Sequence, residues 1–435
     1  MIHSFIAEHT NANLNFNIEL EKDKQVYCFI GENGSGKTNL LENLAKAILF
    51  CHSVFLSKER KNNKDLKFAG ILSRESILLS KFKDTAFELA ANIQINDKQV
   101  LASTSKLLVS VQKLAESRYN QSSPISINKP VVFISARNRG YTENLDKNEI
   151  SVVGDSSERF IEFFSQTINA INGISFDNKN IVKWISSRLI INPAFAINVD
   201  HRHFEVITLF ELIERLESKW KLIWKDGNNT VLNVEFSDGK LLIGNIPLDK
   251  LPTGFISIIK IFQEIIAGYG AWTINEMDLK QVEGIVFIDE IESHLHPKWQ
   301  HHIIPLLKEF FPKTTFYIAT HSPVIVSTTE QDEAYELIRE ENNVTARKLG
   351  NPKEWYLADL LTHAFHIELQ TVTKPEDTEN LIDLLKSFST KVKDYVASKD
   401  ENLKQDAETL YQQIIPSLPP TDPRRRSLDS LKSLL

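Results

Sequence analysis

Strand-like alternation of apolar and polar residues opens the chain and then gives way to a helical pattern. The segment 14–20 alternates strictly, and an uninterrupted apolar run covers Val26 to Ile30 before a glycine-rich turn. From Asn39 onward, apolar residues recur at steps of three and four, which is the spacing of one helical face. The pattern therefore predicts a strand, a phosphate-type loop and a helix in succession.

Short apolar runs farther along the chain predict more buried strands, each of which ends in polar residues. These runs cover 131–134, 285–288 and 315–319. Two further β-rich segments, 231–236 and 241–246, flank the dipeptide Asp238-Gly239. Because Asp-Gly favours a tight two-residue turn, this part of the chain is predicted to form a hairpin.

Helical spacing predicts helices over 104–116 and 255–267, and amphipathic helices after about residue 340. Two apolar faces stand out in that last region: Leu385, Phe388, Val392 and Val396, and then Leu403, Ala407, Leu410 and Ile414. The predicted organisation is a head over 1–335, with a helical and β-hairpin insertion at about 155–250. A C-terminal helical region over 336–435 would serve partner or oligomer contacts.

Composition excludes several classes of protein. The 435 residues are 42% hydrophobic and 25% charged, which is the balance of a globular protein rather than a disordered or fibrous one. The net charge of -7 argues against a globally basic nucleic-acid coat but permits a local basic groove. Two cysteines and the absence of a Cys-x-x-Cys argue against a disulfide scaffold and a cysteine zinc site. No run of about 20 apolar residues and no signal peptide is recognised, so a cytoplasmic protein without a membrane span is expected.

The glycine-rich turn matches the phosphate-binding pattern G-x-x-x-x-G-K-[ST] over Gly31 to Thr38. Its glycines let backbone N–H groups surround phosphate oxygens at a helix N-terminus. The lysine would reach the β- and γ-phosphates, and the threonine hydroxyl would ligate Mg²⁺. A chance glycine turn is the alternative, but the flanking strand and helix argue against it. The residues predicted to bind ATP are Asn33, Gly34, Ser35, Gly36, Lys37 and Thr38.

Two acidic residues, Asp289 and Glu290, follow the apolar run 285–288. In parallel α/β folds, ligands bind outside the carboxyl ends of the strands, so both acids should lie beside the phosphate loop. Asp289 is predicted to position Mg²⁺, through water, and Glu290 to orient and polarise the attacking water. Many strands end in acids without any such role, and it is the pairing with the phosphate loop that favours function.

A histidine, His321, lies two residues beyond the apolar run 315–319. A lone histidine is usually structural or on the surface. Its place after the acidic strand favours a sensor of the γ-phosphate that donates a hydrogen bond to phosphate or to the attacking water. We therefore assign His321, with Glu290, to the predicted catalytic residues.

Three phrases together carry a family resemblance: GENGSGKTNLLENL, FIDEIESHLHPKWQ and ATHSP. They resemble the head domain of ABC-type ATPases of the SMC-like and OLD-like branch. The resemblance implies a P-loop α/β head with a β-lobe and a helical lobe, and a dimer that sandwiches ATP. Thr253 and Gly254 would then contact the γ-phosphate held by the other protomer. Their segment, LPTGFIS, departs from the transporter pattern LSGGQ. The alternative is that Thr253 is an ordinary helix N-cap. The stretch 292–297 matches the D-loop that communicates between the two nucleotide sites.

Three less specific sequence segments narrow the resemblance to the ATPases of Septu and retron-associated antiphage systems (the PtuA family). They are LPTGF, IESHLHPKWQ and PTDPRRRSL. In that family, the ATPase partners an HNH nuclease and restrains or licenses it. No nuclease motif is recognised in this chain, so cleavage would belong to the partner. The resemblance implies a homodimer or higher oligomer that hydrolyses ATP slowly with Mg²⁺. The partners that it implies are an HNH nuclease subunit and, in some systems, DNA or retron RNA–DNA. The three arginines at 424–426 are more typical of a solvated face than of a nucleic-acid contact.

Two other functions fit parts of the sequence. A RecF-like recombination ATPase shares GENGSGKTNLL and would bind duplex DNA in an ATP-dependent manner without a nuclease partner. A transporter ATPase would need a membrane subunit, and the missing LSGGQ and the long gap between the phosphate loop and Asp289 argue against it.

Overall fold

A computed structural model describes residues 2–10, 12–52, 86–103, 105, 107–110, 125–136, 156–173, 181, 184–185, 204–216, 223–225, 229–231, 234–237, 240–243, 246–273, 277–355, 357–366, 375–418, 423–433 and 435. The strands are β1 Ser4–Glu8, β2 Asn15–Glu19, β3 Val26–Ile30, β4 Ala86–Leu89, β5 Asn92–Ile95, β6 Lys98–Ala102, β7 Leu107–Ser110, β8 Val131–Ile134, β9 Ile223–Lys225, β10 Asn229–Val231, β11 Val234–Ser237, β12 Lys240–Ile243, β13 Ile246–Pro247, β14 Ile285–Ile288, β15 Thr315–Ala319, β16 Ala334–Glu340 and β17 Asn343–Lys348. The helices are α1 Lys37–Phe50, α2 Ser156–Ile171, α3 Phe204–Leu216, α4 Thr253–Thr273, α5 Pro297–Phe310, α6 Pro323–Val326, α7 Leu357–His363, α8 Pro375–Ser398, α9 Glu401–Ile414 and α10 Pro423–Lys432.

Within the described residues, ten strands form one mixed sheet in the order β6-β5-β1-β2-β17-β16-β3-β15-β14-β8. The strands β3, β15, β14 and β8 are parallel neighbours, so their carboxyl ends meet at one edge. Every residue of β3 and β15 is buried, as continuous apolar runs in a covered parallel sheet require. The predicted α/β class is confirmed.

The antiparallel side of the sheet is built from β1, β2, β5 and β6, which form the β-lobe expected from the sequence. The predicted hairpin is also present, because β11 pairs antiparallel with β12 and Ser237 lies opposite Lys240. Its turn residues, Asp238 and Gly239, lie outside the described residues. The sequence pattern thus correctly predicted the two strands that flank these turn residues.

The helix predicted over 104–116 is wrong in its described part. Leu107–Ser110 forms strand β7, which pairs with β4 in an antiparallel two-stranded sheet. Residues 111–116 lie outside the described residues. A short run of apolar and β-branched residues is compatible with a helix or with a strand. Here the pairing with β4, about 20 residues earlier in the chain, stabilises the strand.

The head extends beyond the predicted boundary at residue 335. Strand β16 pairs in parallel with β3, and β17 pairs with both β16 and β2, so 334–348 completes the central sheet. One compact unit spans Met1–Ile367 and a second spans Glu368–Leu435. The segment 334–340 does not alternate between apolar and polar residues, and its pairing with β3 and β17 is what makes it a strand.

Helix α4 is long and apolar enough to cross a bilayer, contrary to the expectation that no segment is. An 18-residue window of this 21-residue helix has a mean hydropathy of 1.2. However, 83% of that window is buried inside the structure. Length and composition alone do not separate a membrane span from the central helix of a protein core, and the burial of α4 is that of a core helix.

The second unit contains α8, α9 and α10 around a small core of its own. The buried residues of this core are Phe388, Val392, Ala407, Ile414, Leu418 and Leu428. Both predicted apolar faces contribute to it, although Val396 is exposed. Arg425, from the arginine run, donates hydrogen bonds to the carbonyl oxygens of Ile415 and Leu418. This arginine therefore stabilises the fold of its own unit.

Candidate functional site

The phosphate-type loop connects β3 to the N-terminus of α1, as the sequence predicted. Gly31 begins it with a φ of +148°, and a Cβ at this position would lie 2.7 Å from Ser35 Oγ and 2.8 Å from the carbonyl oxygen of Leu337. Only glycine fits both the backbone conformation and this close approach. Strand β16, which carries Leu337, therefore supports the loop from one side.

Lys37 is buried within this loop, with only 6% of its surface exposed. Its ammonium donates hydrogen bonds to the carbonyl oxygens of Gly31, at 2.8 Å, and Glu32, at 2.9 Å. Burial lowers the pKa of Lys37 to about 8, and the carboxylates of Glu292, Asp289 and Glu290 oppose that decrease. The loop thus holds Lys37 beside an acidic cluster, and a bound phosphate would favour the charged form of this lysine in the same way as the carboxylates do.

The hydroxyl of Thr38 lies 3.0 Å from each carboxylate oxygen of Asp289. Asp289 directly follows β14 and is buried, with 7% of its surface exposed. A hydroxyl and a carboxylate are the hard oxygen ligands that Mg²⁺ prefers, and Mg²⁺ sites in phosphoryl-transfer enzymes combine few protein ligands with substrate phosphates. These two residues therefore fit Mg²⁺, which would neutralise phosphate charge when bound.

Glu290 is exposed and has a left-handed backbone conformation with a φ of +45°. Such a conformation costs a non-glycine residue about 1–2 kcal/mol, so the surrounding contacts must hold it. One of these contacts is a hydrogen bond of 3.1 Å from Ser293 Oγ to Glu290 Oε2. The arrangement leaves the carboxylate at the strand edge, beside Asp289 and within reach of solvent.

His321 follows β15, the parallel strand between β3 and β14. Its backbone N–H donates to Glu292 Oε1 at 2.6 Å. Burial and the charge of Lys37 lower the pKa of the imidazole, while Glu292 and Glu290 oppose that decrease. A neutral imidazole at pH 7 can donate one hydrogen bond and accept another, which suits contact with phosphate or water.

Thr253 and Gly254 form the first turn of α4, with Thr253 exposed and Gly254 buried. A Cβ on Gly254 would lie 2.9 Å from the carbonyl oxygen of His294. Ser257, one turn later, donates from its hydroxyl to the carbonyl oxygen of Ser293 at 3.1 Å. The start of α4 therefore packs directly on the 290–296 loop, the segment between β14 and α5 that carries Glu290.

The substitution Gly254→Ala tests this contact. The added methyl group must push the 290–296 loop away, and overpacking of this kind costs about 1–3 kcal/mol. We expect ATP turnover to fall about tenfold while ATP affinity stays within about threefold of the wild-type value, because the phosphate loop is untouched. Steady-state hydrolysis and equilibrium titration with a fluorescent ATP analogue measure the two quantities. Ala267→Ser, a change of similar size farther along α4, is the control, and equal rates for Gly254→Ala and wild type would show that the packing is not coupled to turnover.

The structure brings together the predicted Lys37, Thr38, Asp289 and His321, and it adds two residues that were not predicted to belong to the site. Glu292 links the 290–296 loop to His321, and Arg339 donates from Nη1 to the carbonyl oxygen of Gly34 at 2.9 Å. Glu292 lies within the D-loop stretch, which was a usable signal. Nothing in the local sequence singles out Arg339, because its role depends on the pairing of β16 with β3.

Comparison with known proteins shows one family match and several similar proteins. The family described as "AAA domain, putative AbiEii toxin, Type IV TA system" matches residues 270–327, which include Asp289, Glu290 and His321. The Septu protein PtuA of Bacillus thuringiensis is 24% identical over 419 residues, covering 94% of this chain and 93% of that protein. The "Retron Vc95 probable ATPase" of Vibrio cholerae serotype O1 biovar El Tor is 22% identical over 416 residues, covering 85% of this chain and 79% of that protein.

Among solved structures, an SMC head bound to the C-winged helix domain of ScpA aligns with a TM-score of 0.36 at 15% identity. The alignment covers 81% of this chain and 99% of that one. The similarity to PtuA and to the Vc95 ATPase confirms the resemblance to Septu and retron ATPases that the sequence phrases indicated. It covers 94% of this chain for PtuA and 85% for the Vc95 ATPase.

Proposed function

We propose that this protein is the ATP-binding and ATP-hydrolysing subunit of an antiphage defence complex. The observation that carries the ATP-binding and ATP-hydrolysing part of the proposal is the contact between Thr38 and Asp289, two residues that are 251 positions apart in the chain. This contact brings a phosphate-binding loop and an acidic strand end to one edge of a parallel sheet, which is the arrangement that ATP and Mg²⁺ require.

In the proposed reaction, each residue of the site has a defined task. The backbone of Asn33, Gly34, Ser35 and Gly36 surrounds the phosphates, and Lys37 neutralises their charge. Thr38 and Asp289 hold Mg²⁺, Glu290 orients and polarises the attacking water, and His321 donates to the γ-phosphate or to that water. Hydrolysis to ADP and phosphate is slow, because the reaction resets a regulatory switch and does not supply a metabolic product.

The proposed switch acts through dimerisation. Thr253 and Gly254 at the start of α4 contact the γ-phosphate held by a second copy of the chain, so that ATP closes the dimer and hydrolysis opens it. The N-terminus of a helix with exposed Thr253 supports this assignment, because such a terminus attracts anions. The packing of Gly254 and Ser257 on the 290–296 loop supports it as well, since it connects the dimer contact to Glu290.

The proposed target of the switch is an HNH nuclease subunit, in the cytoplasm, that the ATPase restrains or licenses. The similarity to PtuA and to a retron ATPase supports this part of the proposal, and DNA or a retron RNA–DNA is the nucleic acid that the assembly would sense. A RecF-like recombination ATPase is the competing proposal. The shared phrase GENGSGKTNLL favours it, and it has no nuclease partner.

Native mass spectrometry of the tagged chain, isolated from its own cells with and without ATP and Mg²⁺, tests the proposal. We expect a dimer or larger oligomer that retains an HNH nuclease subunit identified by peptide sequencing. The matched control is Lys37→Ala, isolated in the same way, in which ATP should no longer change the assembly. A chain that binds duplex DNA upon ATP addition and retains no nuclease would instead favour the recombination ATPase.

A further inference from the structure

The carboxylate of Glu292 connects two loops that carry the proposed catalytic residues. Its Oε2 accepts a hydrogen bond from Thr320 Oγ1 at 2.6 Å, and its Oε1 accepts one from the backbone N–H of His321, also at 2.6 Å. Hydrogen bonds to a carboxylate are about twice as strong as those between neutral groups. Glu292 therefore holds the backbone on which the His321 side chain is mounted.

Further hydrogen bonds extend this connection along both loops. Thr320 Oγ1 accepts from the backbone N–H of Ser322 at 3.0 Å, and Ser322 Oγ donates to Gln300 Oε1 at 2.6 Å. Gln300 in turn donates from Nε2 to the carbonyl oxygen of Leu295 at 2.8 Å. The segment 320–322 is thus fastened to the 290–296 loop and to the start of α5 at two separate points.

The same 290–296 loop also contacts Glu290 and α4. Ser293 donates from its hydroxyl to Glu290 and accepts from Ser257 at its carbonyl oxygen. A displacement of α4 therefore reaches the 290–296 loop first, and of the two connections to the 320–322 segment, the one through Glu292 contacts His321 directly. Nothing in this chain of contacts requires Glu292 to touch nucleotide.

Two features separate the role of Glu292 from that of Glu290. Both oxygens of Glu292 accept hydrogen bonds from the 320–322 segment, whereas Glu290 is exposed at the strand edge. A carboxylate engaged by two protein donors is poorly placed to accept a proton from water. The half-buried Glu292 is instead suited to fixing geometry.

We propose that Glu292 is a positioning residue that sets the orientation of His321 and couples it to the 290–296 loop and, through that loop, to α4. This inference rests on the proposed ATPase function. Glu292 would contribute to turnover only through His321, and ATP binding by the phosphate loop would be nearly independent of it.

A double-mutant cycle between Glu292→Gln and His321→Ala tests the inference. Glutamine keeps the shape of glutamate but can accept only one of the two hydrogen bonds. We expect Glu292→Gln to lower kcat about 10- to 100-fold and His321→Ala to lower it by a similar factor, with ATP affinity within about threefold of wild type in both. In the His321→Ala background, Glu292→Gln should lower kcat by no more than about threefold, since residues acting as a unit are not additive.

The matched control is Glu309→Gln, which neutralises an exposed glutamate on α5 that pairs with Arg215 at 3.4 Å. It should retain wild-type turnover. If Glu292→Gln does not fold, as thermal unfolding followed by circular dichroism would show, Thr320→Val removes one of the two donors and replaces it in the cycle.

Each outcome bears on the inference. Independent effects of the two substitutions, whose product is the loss in the double variant, would show a purely structural role for Glu292 and overturn the proposal. Wild-type turnover in Glu292→Gln would overturn it as well. If the wild-type protein hydrolysed ATP no faster than Lys37→Ala, the proposed function itself would fall, and the inference with it.

Discussion

Replacing Lys37 with alanine is expected to weaken ATP binding at least about 100-fold, which corresponds to the loss of about 2.7 kcal/mol of binding free energy. The ammonium of Lys37 is buried in the phosphate loop, and the backbone carbonyls that it contacts compete poorly with the charge of a triphosphate. Equilibrium titration with a fluorescent ATP analogue in the presence of Mg²⁺ measures the change.

The control for this substitution is Lys46→Ala. Lys46 is also a buried lysine of α1, but it lies more than two turns beyond Lys37. ATP affinity should remain at the wild-type value in this variant, provided that both proteins are folded at the assay temperature. An ATP affinity in Lys37→Ala equal to that of Lys46→Ala would exclude the phosphate loop as the nucleotide site.

Glu290→Gln is expected to bind ATP normally and to lose hydrolysis by a factor of about 10² to 10⁴, the range that removal of a general base produces. An amide can still accept a hydrogen bond from water but cannot take its proton. The phosphate loop, Thr38 and Asp289 are unchanged, so affinity should be retained. Phosphate release under saturating ATP and Mg²⁺ measures the loss.

Glu283→Gln controls for the removal of one negative charge near the same strand. Glu283 is exposed and pairs with Lys129 at 2.9 Å, at the opposite end of β14 from Glu290. Its neutralisation should leave turnover unchanged. Turnover in Glu290→Gln at the rate of Glu283→Gln would refute the assignment of Glu290 as the residue that activates water.

The parts of the site that are predictable from the sequence are those whose chemistry is encoded locally. The phosphate loop between β3 and α1 depends on eight consecutive residues, and the strand and helix that flank them argue against a chance glycine turn. Asp289 was predictable because a buried strand ending in an acid must place that acid at the sheet edge. His321 followed from the same rule applied to the neighbouring strand β15.

Features that depend on long-range pairing were missed or wrong. The segment 107–110 forms a strand because it meets 86–89, and its own pattern did not specify that partner. The head continues past residue 335 because β16 and β17 join the central sheet next to β3 and β2, and its compact unit ends at residue 367. Arg339 reaches the phosphate loop for the same reason. Sequence periodicity reports the face that a residue occupies, but not the strand beside it.

The most direct test of the central claim, that ATP held at this site closes a homodimer, is light scattering coupled to size exclusion on Glu290→Gln. We predict that ATP with Mg²⁺ increases the measured mass. The fraction of protein with twice the nucleotide-free mass, or with a higher multiple of it, should rise. ADP should not have this effect, and neither should ATP with the double variant Lys37→Ala/Glu290→Gln. A mass that is the same with ATP, with ADP and without nucleotide would contradict the account.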